Sequence, residues 1–285
     1  VHPHGNFPNA RLNHGPYHYP ISSGALVAIT GLEYIVFSSL RAHHLLPPRP
    51  RVLELGESNW YGDVPVGQLI HDLDEFVADP TAREALRVRL KESVEAHRPD
   101  VLYEIARVFF QAVFDPASYA AIDPGTPGSA YRFDLNLPVP MDETFDVTMN
   151  IGTAEHIFNV YQFFKTMHER TAPGGLMIHS SPFTGWPDHG FYNFQPTFFF
   201  DLARANQYQV LSMVCAPIQP LQLIQISSHD ELGALLKAGK IPNHSHLNVV
   251  FKKPEALAEF ATPTQGYYAG TLSPEMARMW RELRS

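Results

Sequence analysis

The spacing of apolar residues changes several times along the chain. From 24 to 40, "GALVAITGLEYIVFSSL" is almost continuously apolar, yet it carries Glu33 and is too short and too polar at its flanks to span a membrane. It predicts a buried helix over about 24–44. The prolines of "HLLPPRP" break that helix, and "RVLELG" follows as a run with no polar alternation, as in a strand covered on both faces of a parallel sheet. Residues 64 to about 115 then read as helical. Val101, Leu102, Ile105, Ala106, Phe109, Phe110 and Val113 form one apolar stripe. Upstream, "DPTAREALRVRLKESVEAHRP" offers Asp79 as a helix cap, Pro80 in the first turn and mixed charges on a solvated face.

Past 116 come six short apolar runs, "ASYAAIDPGTPG", "AYRFDLN", "FDVTMNIGTAEH", "GGLMIHSSPF", "QVLSMVCAP" and "LNVVFKKP", each ending in turn-forming or polar residues. Helical stretches at 155–171 and 196–207 separate several of them. Strands alternating with helices predict an α/β fold with a largely parallel sheet. The last two runs, joined by 218–245, are expected to close it as an antiparallel pair. Residues 1–22, rich in Pro, Gly, Asn, His and Tyr, read as an irregular arm laid over the body. There is no internal repeat and no low-complexity segment.

Composition narrows the function. A chain of 285 residues, 45% hydrophobic and 18% charged, can bury one large core, or a core plus an insertion. The net charge of -8, with no basic run, lacks the footprint of a nucleic-acid partner. Cys215 is the only cysteine, which excludes an intrachain disulfide framework and suits a reducing compartment, with the cytoplasm as default. No signal peptide is visible, and a first residue of Val leaves the true N-terminus open. The fifteen histidines are scattered. The closest sets (His2 with His4, His43 with His44, His244 with His246) lack the partners and spacing of a familiar metal motif, so no metal site is expected.

In open α/β sheets ligands sit beyond the carboxyl ends of the strands. Those ends read Glu54 to Asn59, Asp123, Asp134 to Asn136, Asn150 to His156, and His179 to Phe183. A carboxylate ending the second strand, here Asp123, suits a ribose because it accepts from both hydroxyls. Asp134 or Asn136 after the third could address an adenine edge.

With these residues in order, the stretch from about 50 to 253 resembles the class I S-adenosylmethionine-dependent methyltransferases. "VLELGES" is similar to their first motif, "AAIDP" to the ribose-binding second strand, "RFDLN" to the third and "FDVTMNIGTAEHIFN" to the fourth with its helix start. "TAPGGLMIHSSPF" resembles the Pro-Gly-Gly turn into the fifth strand. Asp146, Glu155, His156, Gly174 and Gly175 carry the most specific part of the likeness.

The resemblance implies a Rossmann-like doubly wound sheet of about seven strands, mostly parallel with the last antiparallel. It places a helical insertion at 60–116 after the first strand, an arm and helix at 1–50 and an extension at 254–285. It further implies S-adenosylmethionine as cofactor. Glu54 and Gly56 would lie against its methionine part, with Glu57, Ser58 and Asn59 in the loop beside it. Asp123 would hold the ribose, Asp134 and Leu135 would flank adenine, and the backbone of Asn150 and Gly152 would face the ammonium or sulfonium end. Two departures stand out. Ser58 and Trp60 replace the later glycines of the first motif, and Glu54 lies much further from Asp123 than the usual spacing of about twenty residues.

A sulfonium methyl is already activated, so the protein has mainly to orient the acceptor and exclude water. Candidates for proton handling are His156, expected to open the helix after the fourth strand, and His189, whose neutral imidazole suits a base near pH 7. Tyr192 and Asn193 are candidates for positioning. Trp186, Phe191 and Phe194 read first as packing, although aromatic faces also stabilise a sulfonium. "HGFYNFQPTFFFDLA" resembles a segment of bacterial methyltransferase-domain proteins of undefined substrate. The expected acceptor is an oxygen or nitrogen of a small metabolite or sugar-like molecule, with no nucleic-acid or membrane partner. Two readings stay open beside it: a non-catalytic S-adenosylmethionine-binding module, and a nicotinamide-dependent oxidoreductase, disfavoured because phosphate-cradling glycines are missing. Homo-oligomer contacts through the tail are equally open.

Overall fold

The structure, a computed structural model, describes residues 28–126, 128–256 and 258–282. The expected arm at 1–22 lies outside them. In chain order the elements are β1 (Ala28–Ile29), α1 (Gly31–Ala42), β2 (Arg51–Leu55), β3 (Asn59–Trp60), α2 (Val66–Phe76), α3 (Pro80–Glu95), α4 (Val101–Phe114), β4 (Ser118–Ile122) and β5 (Phe145–Ile151). There follow α5 (Val160–Arg170), β6 (Thr171–Thr184), α6 (Pro196–Asn206), β7 (Gln209–Pro217), β8 (Ile224–Gln225), α7 (His229–Lys237), β9 (Ser245–Lys252) and α8 (Pro274–Glu282). A 3-10 turn at Ala154–His156 separates β5 from α5. Among the described residues no helix is long and apolar enough to cross a membrane. The described residues fall into two compact units, 28–49 with 58–116, and 50–57 with those from 117 onward.

The first unit is helical. Its α1 starts at Gly31, later than the apolar run suggests, because Thr30 and Glu33 close a capping box. Thr30 Oγ1 accepts from the Leu32 N–H, and the Glu33 carboxylate accepts from the Thr30 N–H at 2.9 Å. The charge in the apolar window is thus part of a helix start, and Ala28 and Ile29 pair in parallel with Asn59 and Trp60. Asp79 caps α3 as expected, accepting from the Ala82 N–H at 2.9 Å, with Pro80 at the first position. The stripe on α4 delivers Phe109 to an aromatic core, 4.8 Å from Tyr34 in a stacked pair and 5.6 Å from Trp60 edge-on. Trp60, standing where a phosphate loop would carry glycine, is a fully buried core residue whose indole N–H donates to Val64 O.

The second unit is a seven-stranded sheet in the order β4-β2-β5-β6-β9-β7-β8. β4, β2, β5 and β6 run parallel, β9 is antiparallel to β6 and to β7, and β8 closes an edge antiparallel to β7. This is the expected doubly wound sheet, with the last strand reversed between β6 and β7. One strand fails to form. "AYRFDLN" contributes only a single bridge from Tyr131 to Ile122. Asp134 accepts from both the N–H and the side-chain amide of Asn136, and this local turn competes with a sheet ladder. Leu53, Leu55, Phe145, Phe163, Phe199 and Phe251 anchor the core beneath the strand ends.

Candidate active site

From β2 the chain moves outward to β4, then returns to the other side of β2 with β5. Strand order therefore reverses between β2 and β5, where α/β sheets place their ligands. Gly56 leaves β2 at a φ of 89° and donates its N–H to Ile122 O at 2.9 Å. A Cβ there would stand 2.0 Å from Thr153 Oγ1, so only glycine lets the two strand ends approach. The next residue stitches β2 to β4. The Glu57 N–H donates to Asp123 Oδ2 at 3.2 Å, and Glu57 Oε2 accepts from the Gly128 N–H at 3.1 Å. Asp123 Oδ1 accepts from the Gly125 and Thr126 N–H groups at 2.8 and 3.0 Å. Asp123 stays half-buried, and three bonds leave part of its acceptor capacity open.

Other expected residues sit differently. The Glu54 carboxylate is buried in the sheet and accepts from the Tyr119 hydroxyl on the neighbouring strand. Ser58 and Asn59 are buried and belong to the first unit, where Asn59 pairs with Ala28. Asp134 is exposed in its own turn, where the Asn136 amides hold its carboxyl below the usual range, and Leu135 is in the core. Asn150 Oδ1 accepts from the Thr153 and Ala154 N–H groups at 3.3 and 2.9 Å, shaping the turn after β5, while its Nδ2 is buried without a partner. The Gly152 N–H is taken by Ser180 O at 2.8 Å.

The segment 152–156 leads from this crevice to a buried polar cluster. Glu155 is fully buried, and neither carboxylate oxygen meets a hydrogen-bond partner. Burial pushes its carboxyl up to about 8; its own backbone N–H and the Ser181 hydroxyl offset only part of that, neither making a well-formed hydrogen bond to it. His189 Nε2 stands 3.9 Å from Glu155 Oε1, and the His156 and His189 rings lie 5.3 Å apart. Burial lowers both imidazoles, so both are neutral near pH 7. Two backbone features fix the geometry. The Phe191 N–H donates to Glu155 O at 2.7 Å, and a Cβ on Gly190 would come within 2.8 Å of that oxygen. Trp186 walls the cluster, 5.3 Å from the His189 ring and 4.8 Å from that of His246, with its indole N–H on Ser245 O.

His156 ends the 3-10 turn instead of opening a helix, because α5 starts at Val160 under an Asn159 cap. Tyr192 spends its hydroxyl on Phe158 O at 2.9 Å. The sequence pairs His156 with His189 only as separate candidates and omits Glu155, Ser181 and His246 from the site. The one usable signal is the acid beside His156 just past a strand end.

No family model and no curated protein matches the chain. Among solved structures, it aligns with the Burkholderia thailandensis 1,6-didemethyltoxoflavin-N1-methyltransferase at 13% identity over 78% of each chain, with a TM-score of 0.39. It aligns with a putative sarcosine dimethylglycine methyltransferase from Galdieria sulphuraria at 11% identity over 79% of this chain and 86% of that one, with a TM-score of 0.43. N-methyltransferase NodS from Bradyrhizobium japonicum gives 15% identity over 79% and 96%, with a TM-score of 0.37. At TM-scores below 0.5 such likeness assigns this chain to no family.

Proposed function

We propose that this chain is a methyltransferase that takes its methyl group from S-adenosylmethionine and passes it to an oxygen or nitrogen of a small metabolite or sugar-like acceptor. The observation that carries the reading is the Glu57–Asp123 link beside Gly56 at the point of strand reversal. A dinucleotide would need several glycines to admit its pyrophosphate, whereas an adenosyl sulfonium needs one close approach and a carboxylate for the ribose. The residues fit that group. Asp123 keeps acceptor capacity for ribose hydroxyls, and the unpartnered Asn150 Nδ2 is a buried donor on the adjoining strand.

When bound, S-adenosylmethionine supplies a methyl already activated on a sulfonium. The chain's own residues then have to orient the acceptor, exclude water and dispose of its proton. His189 and His156 are suited to the last task, as neutral imidazoles in a cluster one turn past the strand reversal. The buried Glu155 carboxyl faces that cluster, 3.9 Å from His189 Nε2. Tyr192, with its hydroxyl engaged by Phe158 O, serves as packing around that loop.

Isothermal titration tests the reading. S-adenosylhomocysteine should bind the wild-type protein, and Asp123→Ala should weaken it at least about tenfold, the worth of one lost charged hydrogen bond. Absence of binding by both S-adenosylmethionine and S-adenosylhomocysteine to the folded protein would end it.

A further inference from the structure

We infer that Glu155, His156 and His189 form a binding site for a divalent cation of the zinc, iron or cobalt class. One ligand atom from each lies within 4.8 Å of the other two. More telling is how these side chains stand otherwise. Glu155 Oε1 and Oε2, His156 Nε2 and His189 Nε2 are all buried and none has a hydrogen-bond partner. Native structures pair the great majority of buried polar atoms, and a group of unpaired ones marks a place where a water, an ion or a reacting molecule belongs. A carboxyl group and two imidazoles converge, each able to present a lone pair once deprotonated, with no lysine or arginine paired to Glu155 among the described residues. A cation satisfies such a set at once.

The donor chemistry selects the class of ion. Two imidazoles and a carboxylate suit a borderline divalent metal, and three protein ligands leave at least one position open. At bonds of about 2.0–2.2 Å, ligands of one ion stand about 3–4 Å apart, so the cluster needs to contract by about 1 Å. His189 lies in a loop whose closeness to Glu155 is set by backbone contacts, leaving side-chain rotation free to close that gap. The open position would take an acceptor oxygen and hold it toward the crevice. In that state the histidine lone pairs hold the metal, and the acceptor's proton is lost to solvent because a metal-bound oxygen is more acidic. This role rests on the proposed methyltransferase function; the existence of the site does not.

Cobalt reports on the site directly. The full chain, stripped with chelator and titrated with Co2+, should show a visible absorption band and retain about one metal per chain after gel filtration. Glu155→Gln and His189→Gln should each lose the band and weaken retention at least about tenfold, while His71→Gln, exposed on α2, should keep both. A wild-type protein without stoichiometric cobalt, or variants that keep the band, would overturn the proposal. Should a variant unfold, imidazole nitrogen shifts in wild type on adding Zn2+ decide instead: movement of His156 and His189 supports the site, and unmoved shifts refute it. A parallel titration with S-adenosylhomocysteine separates the two ideas, since cofactor binding without cobalt binding removes only the metal, and the reverse removes only the methyl donor.

Discussion

Gly56 and Thr153 face each other across the reversal of strand order so closely that a Cβ on the first would lie 2.0 Å from the hydroxyl oxygen of the second. With a φ of 89° at Gly56 as well, Gly56→Ala is expected to cost about 1–3 kcal/mol in stability and to weaken S-adenosylhomocysteine. Adding Thr153→Ala removes the clashing oxygen but not the backbone strain. The double variant should therefore recover part of the loss in a urea titration, and a fully additive loss would contradict the contact.

Asp123 joins three backbone N–H groups, and its replacement acts on two levels. Asp123→Ala leaves those donors unpaired and should lower stability by about 1–3 kcal/mol besides weakening the cofactor. Asp123→Asn keeps one accepting oxygen and should fall between it and wild type in both denaturation and calorimetric titration. Wild-type affinity in Asp123→Ala would remove this residue from the site.

His189 and Tyr192 should separate sharply. Once an acceptor is known, His189→Gln is expected to lower turnover about a hundredfold or more while leaving S-adenosylhomocysteine binding intact. Tyr192→Phe loses a half-exposed bond to Phe158 O, worth about 1 kcal/mol of stability, and should keep most of the turnover. Equal kinetic losses in the two variants would reverse these roles.

The core makes a prediction about acid. His179 on β6 is fully buried against Phe164, Phe199 and Phe251, and burial alone lowers it from its ordinary 6.5 to about 3. Between those values the unfolded chain takes up a proton that the folded one refuses. Stability should therefore be complete above pH 6.5 and fall toward pH 3, by up to about 1.4 kcal/mol per pH unit. His179→Leu should flatten that slope in thermal denaturation, and an unchanged slope would count against the burial.

Local chemistry made much of the fold readable in one dimension. The apolar runs at β2, β5, β7 and β9, the Asp79 cap and the Phe109 stripe owe their form to neighbours a few residues away, so period and composition carried them. The acids at strand ends were legible for the same reason, because a parallel sheet puts its strand ends on one side. Elsewhere local and distant contacts competed. Asp134 closed a turn where a strand was expected, Thr30 and Glu33 moved a helix start, and Trp60 became a core residue. What tertiary structure alone decided was the company of Glu155. His189 joins it from past the C-terminal end of β6, because β5 and β6 run parallel and finish on one side, and packing strips the water from its carboxyl, a property that no spacing along the chain records.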